Sequence, residues 1–215
     1  RRLGSKKIVI KNYPEQYHVR HHNTLTVLLF NHKYRINTAE LGACIRINEE
    51  SFLSRLDAWE KRKLKQAEKA RLTFKVISPK EFKDTFNFIL RCRRERDQSL
   101  SMSYAELNKT VEVMDEYFIS FGVYDGSELL AASIAVKTNR QTIYNFYSGH
   151  NKASDYLSPV VALIGGMYQW CQNHKVKLLD LGTSAWGGKP NFSLIDFKLR
   201  LGAEPTMKLT FEKNI

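Results

Sequence analysis

The sequence predicts a mixed α/β protein (α+β) in which a central sheet is flanked by helices, and three observations carry that expectation. From Leu72 onward the local patterns follow the order β, α, α, β, β, β, α, β, α, β. Two capping-box patterns, Ser78 with Glu81 and Ser103 with Glu106, mark helix starts, the first strengthened by Pro79 at the first helical position. Residues 178–205 (LLDLGTSAWGGKPNFSLIDFKLRLGAEP) read as a buried strand ending at Asp180, Gly182 and Thr183, a Gly-rich loop, and a short helix closing at Gly202. Open α/β sheets place ligands beyond such strand ends.

Taken in order, residues 7–13 and 24–30 alternate or run apolar as strands do, and 40–48 supply a third strand. His18, His21, His22 and His32 are expected in a hairpin loop. No carboxylate or cysteine completes a ligand set around them and their spacing matches no zinc pattern, so no metal is expected. Residues 49–71 read as one helix, with Leu53, Leu56, Leu64 and Ala67 at three- and four-residue steps and five cations between Lys61 and Lys69. A strand at 72–78 precedes a helix bearing Phe82, Phe86 and Ile89. It ends in Arg91, Arg93, Arg94 and Arg96, where the helix dipole favours positive charge. Tyr104, Leu107, Val111 and Met114 share a face of the next helix. Three strands follow at 116–124, 128–137 and 142–148, the first pair joined at Asp125-Gly126, a strong hairpin turn. The long helix opened by Ser158-Pro159 contains Gly165 and Gly166, each costing about 1 kcal/mol relative to alanine. Close packing is the expected compensation.

Composition bounds the function. With 43% hydrophobic and 12% aromatic residues, 215 residues suffice for a packed core. No apolar run approaches the roughly 20 residues needed to span a bilayer, and the first residues lack the apolar centre of a signal peptide. The chain begins without methionine, so further sequence is expected upstream. Cys44, Cys92 and Cys171 are odd in number and far apart, which argues against a disulfide framework and fits a reducing, cytoplasmic setting. The formal net charge is +12, and all of the excess lies in the first hundred residues, where 23 Lys and Arg face 11 Asp and Glu. Such asymmetry suits a polyanionic partner such as RNA, an acidic membrane surface or a phosphorylated substrate, and equally a solvated helix face.

The run D-L-G-T-S at 180–184, the open loop, F-K-x-x-x-G at 197–202 and A-E-P at 203–205 resemble the C-terminal part of the GNAT-fold acyltransferases of the Fem type, a group that includes BioF2-like N-acyltransferases. The resemblance covers roughly residues 72–215, and the element order is that of the GNAT fold. It implies an acyltransferase domain at 72–215, preceded at 1–71 by part of a second GNAT-like unit with a basic linker helix. It also implies a donor cleft between the strands at 142–148 and 177–182, with Lys198 facing the substrate. Acyl-CoA users of the fold carry a Gly-rich loop at the next helix whose amides hold a pyrophosphate. This chain has GHNKASDYLSPVV there, with Gly149 alone, a departure that points toward aminoacyl-tRNA, the donor of Fem-type enzymes. Acyl-CoA and aminoacyl-tRNA both remain open as donors, with tRNA then a partner. The acceptor expected is an amine on a peptide, sugar or lipid precursor.

Acyl transfer to an amine needs a deprotonated nucleophile, a stabilised oxyanion and a protonated leaving group. The candidates for catalysis are Lys198, Asp180, His150 and Tyr156. An ammonium at Lys198 binds a carboxylate, a phosphate or the oxyanion, or else it is a solvated lysine on an amphipathic helix. Asp180 is a catalytic carboxylate or a cap for the following loop. His150 has the pKa of a general base. Tyr156 and Tyr147 donate to the leaving group, line the pocket or pack. Ser148, Ser158, Thr183 and Ser184 are expected at the substrate, and Trp186 as a stacking surface on a lid made mobile by Gly187 and Gly188. The rival reading is a catalytically silent GNAT-like module that binds RNA or a protein partner through its basic N-terminal half.

Overall fold

The computed structural model of the protein describes residues 6–186 and 189–215. Its elements are β1 (Lys7–Lys11), α1 (Val19–Asn31), β2 (Arg35–Arg46), α2 (Phe52–Arg55), α3 (Ala58–Lys69), β3 (Thr73–Ile77), α4 (Phe82–Arg94), α5 (Tyr104–Val113), β4 (Phe118–Asp125), β5 (Glu128–Asn139), β6 (Thr142–His150), α6 (Pro159–Asn173), β7 (Leu178–Thr183), β8 (Ala185–Trp186), β9 (Lys189–Pro190), α7 (Phe192–Arg200) and β10 (Glu204–Asn214). From Leu72 the principal elements keep the expected order, with the short β8–β9 hairpin inside the Gly-rich loop. Contacts divide the chain into two units, one of Arg1–Cys44, Leu181–Leu199 and Ala203–Ile215, the other of Ile45–Asp180 and Arg200–Gly202.

In the first unit β1 pairs antiparallel with β10, and β10 antiparallel with β2. Leu209 and Phe211 of β10 pack with Leu29, with Leu25 at the edge of the same cluster. That packing explains a correction: residues 24–30, expected as a strand, lie inside α1. A seven-residue segment with five apolar residues (TLTVLLF) fits either period, and Leu25 and Leu29, four apart, supply the stripe a helix needs. The histidines expected in a hairpin loop belong to this helix as well. His18 is its N-cap, its Nδ1 accepting from the amide of His21 at 3.3 Å, His22 is buried inside it and His32 is its C-cap.

In the second unit β3, β4, β5 and β6 form an antiparallel meander, and β6 pairs parallel with β7. The sheet is therefore mixed. Side chains of adjacent strand residues point to opposite faces, and helices cover both. Ala132, Ile134 and Tyr147 pack under Phe86, Ile89 and Cys92 of α4, while Phe121, paired with Ser133, meets Trp170 of α6 edge-on. Gly165 and Gly166 allow α6 to approach closely. A Cβ on Gly166 would stand 2.2 Å from the Phe74 ring, and one on Gly165 2.9 Å from Phe52.

The helix expected over 49–71 is two. Leu56 is extended, and Asp57 caps α3 by accepting from the Glu60 amide at 2.8 Å. The chain turns there because Glu60 is buried, at 0% exposure, bonded to Arg200 Nε at 3.2 Å and Lys63 Nζ at 3.3 Å. All three cysteines are buried and none forms a disulfide among the described residues, and burial pushes the Cys171 thiol up to about 12.

Candidate functional site

The parallel ladder of β6 and β7 holds three residue pairs, ending at Tyr144 and Asp180. Beyond Tyr144 the second unit's sheet pairs β6 with β5 alone, from Asn145 to His150. Asp180 is thus buried, at 3% exposure, at the last rung.

His150 ends β6 in a cluster of four side chains. Its Nε2 lies 2.8 Å from Asp155 Oδ1 and 2.8 Å from Arg96 Nη2, and Arg96 Nη1 donates to the His150 carbonyl at 3.0 Å. These contacts make opposite demands on one nitrogen. It must carry a proton to donate to Asp155 and lack one to accept from Arg96. Burial first, then the Arg96 charge, push the His150 pKa below its ordinary value, with Asp155 pulling the other way. The imidazole is therefore neutral near pH 7, with proton donor and acceptor states both supported. Arg93 completes the cluster, donating from Nε to the Ser148 carbonyl at 2.8 Å and from Nη1 to Gln98 Oε1 at 2.6 Å. Gly149 lets β6 lie this close to α4, since a Cβ there would be 3.0 Å from Cys92 Cβ and 3.1 Å from Ile89 Cα.

Tyr147 is spent on packing and on a loop. Its hydroxyl lies 2.6 Å from Ser101 Oγ and accepts from the Met102 amide at 3.0 Å. This holds the segment 98–104 away from α4, leaving an open, mainly apolar groove of about 450 Å³ lined by Phe86, Leu90, Leu100, Met102, Tyr104 and Arg94 among others. Ser158 sits at φ +56° as the N-cap of α6, largely buried, its amide donating to the Asp155 carbonyl at 3.1 Å. Tyr156 is 68% exposed, and its carbonyl accepts from Gln66 Nε2.

In the first unit Lys198 is buried at 6% exposure. Its Nζ donates to the carbonyls of Gly182, at 2.8 Å, and Thr183, at 3.1 Å, the last two residues of β7. It is not a solvated lysine: α7 presents its ammonium to the end of the strand. Gly182 has φ +76°, and Gly42 packs against it, a Cβ at Gly42 meeting the Gly182 oxygen at 3.2 Å. Ser184 follows, fully buried, its amide donating to Leu41 and its carbonyl accepting from the Asn191 amide. Its Oγ has no partner among the described residues. Gly187, Gly188 and the side chain of Trp186 lie outside the described residues. Sequence reasoning read Arg93 and Arg96 as helix-end charges and did not join them to His150. The signal was the arginine cluster itself, more than a helix dipole requires.

Among the described residues no group of three or more His, Cys, Asp or Glu side chains is placed to hold a metal ion, and no helix is long and apolar enough to cross a membrane. The loop after β6 offers little to a pyrophosphate. Its Ala153 and Ser154 amides donate to Asn151, and that of Ser158 to Asp155.

The architecture is that of the GNAT fold, as seen in Fem-like acyltransferases. A solved structure of FemX aligns over 98% of this chain and 72% of its own, with a TM-score of 0.73 and 13% identity. L-PGS from Bacillus licheniformis aligns over 86% of this chain and 63% of its own, at 0.60 and 15%. The C-terminal domain of a putative lysylphosphatidylglycerol synthetase from Agrobacterium fabrum aligns over 89% and 65%, at 0.58 and 11%. The chain thus spans 63–72% of the length of these structures. Neither the family profiles nor the curated proteins give a sequence match.

Proposed function

We propose that the protein is an N-acyltransferase that moves an acyl or aminoacyl group from an activated ester or thioester to an amine. The observation that carries this reading is the fold likeness to FemX over nearly the whole chain. The His150–Asp155–Arg96 cluster gives it chemistry. In this reading His150 accepts a proton from the attacking ammonium, Asp155 orients the ring, and the amine nitrogen bonds the acyl carbon while the donor oxygen or sulfur leaves with a proton. Lys198 fixes the end of β7 through the carbonyls of Gly182 and Thr183. An RNA-borne aminoacyl ester suits the chain better as donor than acyl-CoA, because the Ala153, Ser154 and Ser158 amides after β6 are already bonded within their own loop.

The test is transfer from radiolabelled aminoacyl-tRNA or acyl-CoA to small amines, peptides, amino sugars and aminolipids. His150→Ala is expected to lower kcat at least about 100-fold, and Asp155→Asn to shift the acid limb of the kcat/KM profile. Transfer from neither donor, or full turnover by His150→Ala, overturns the assignment.

A further inference from the structure

Helix α3 buries Glu60 and Ala67 and turns Trp59, Arg62, Lys65, Gln66 and Lys69 outward. Steps of three and four residues put these five on one stripe, and Arg62 to Lys69 covers about 10 Å of axis. Trp59 is 55% exposed and carries Arg62 Cζ 5.1 Å and Lys63 Nζ 5.7 Å from its ring centroid. Gln66 donates to the carbonyl of Tyr156, which sets a second exposed ring beside the stripe. Of the two acids in α3, Glu60 is buried and committed to Arg200 and Lys63, leaving Glu68 alone exposed. Among the described residues Arg62, Lys65 and Lys69 have no carboxylate partner.

Two exposed aromatic residues and three cations without a carboxylate partner among the described residues, one of them stacked on Trp59, form a costly surface for a helix that needs only water. An acidic membrane would be met by a broad apolar stripe below the cations, and Trp59 is the only large apolar side chain turned outward here. Duplex RNA is held by shape and phosphate contacts, without rings. Unpaired bases use both features, stacking on aromatic and guanidinium planes while cations follow the backbone. We propose that the outer face of α3, with Tyr156 beside it, binds a single-stranded stretch of RNA. The surface is assigned without reference to the transfer reaction, so its test reads binding alone. An inactive protein that binds RNA, or an active one that does not, separates the two readings.

The measurement is fluorescence anisotropy of the full chain with a labelled unstructured RNA oligonucleotide, its blunt duplex as comparison, across a salt series. Phosphatidylglycerol vesicles in a sedimentation assay are the second arm. The single strand is expected to bind more tightly than the duplex, with affinity falling as salt rises. Trp59→Ala should weaken binding about tenfold with an unchanged salt slope. Replacing Arg62, Lys65 and Lys69 together by alanine should flatten the log–log slope by about 2. All four side chains lie on the surface, and circular dichroism melts confirm that the variants fold. Tighter duplex binding, indifference to both variants, or vesicle binding that depends on the same residues without RNA binding overturns the proposal.

Discussion

His150 concentrates the residue-scale chemistry, because a ring shared between a carboxylate and a guanidinium is sensitive to one proton. Its pKa in the folded protein lies below the unfolded value of about 6.5. As pH falls from neutrality the unfolded chain takes up the proton first, so the group's contribution to stability is complete above that value. It is lost as pH drops toward the depressed folded pKa, and levels off below it. Urea midpoints measured from pH 8 down to about pH 4.5 should therefore fall more steeply for the wild type than for His150→Asn, and parallel curves would refute the placement. Ser184 offers the complementary case. A buried hydroxyl without a partner is destabilising by about 1–3 kcal/mol, and since Ser184 Oγ has none among the described residues, Ser184→Ala should raise stability by about 1 kcal/mol. If the hydroxyl serves a substrate, the same variant loses transfer rate while its melting point rises. Neither feature was legible in the sequence. His150 stood out as a type, but the arginine it shares with Asp155 is 54 residues upstream of it.

At the scale of elements, capping and turn residues located element starts well, although Ser78 caps a short 3-10 turn through the Lys80 amide rather than forming a box with Glu81. Ser103 and Glu106 form the reciprocal capping box their spacing called for, and Asp125-Gly126 joins β4 to β5. Where hydrophobic pattern stood alone it misled, as in residues 24–30. So short a segment fits either period, and packing of Leu29 against Leu209 and Phe211 decides for a helix. The break between α2 and α3 did leave a trace, since Asp57 and Glu60 stand at capping-box spacing inside what reads as a continuous helix. Gly165 and Gly166 test the packing argument directly. Helix propensity alone predicts that Gly166→Ala gains about 1 kcal/mol, whereas a methyl 2.2 Å from the Phe74 ring forces α6 or that ring to move. Overpacking of this kind costs about 1–3 kcal/mol. A net loss of stability in chemical denaturation is therefore expected, and a gain would show that α6 does not approach β3 as described.

Over the whole molecule the dominant quantity is charge. A net +12 on 215 residues repels itself in the folded state, and the ion pairs that oppose this are few. Lys7–Glu212, Arg55–Glu50 and Arg96–Asp155 are at least partly exposed, each worth at most about 1 kcal/mol and screened by the same salt. The Glu60 pairs are shielded at the carboxylate and respond less. Added salt thus weakens a repulsion spread over the whole chain while removing only a few small attractions, and the first effect prevails. Raising sodium chloride from about 20 to 300 mM should lift the melting temperature by roughly 2–4 °C, the shift expected for about 1 kcal/mol in a domain of this size. Replacing Arg62, Lys65 and Lys69 of α3 should raise the melting temperature at low salt and shrink its salt dependence, because among the described residues these three have no carboxylate partner to offset their repulsion. A melting temperature that falls with salt would mean that exposed ion pairs outweigh the net charge, and that the unpaired cations of α3 are neutralised within the fold.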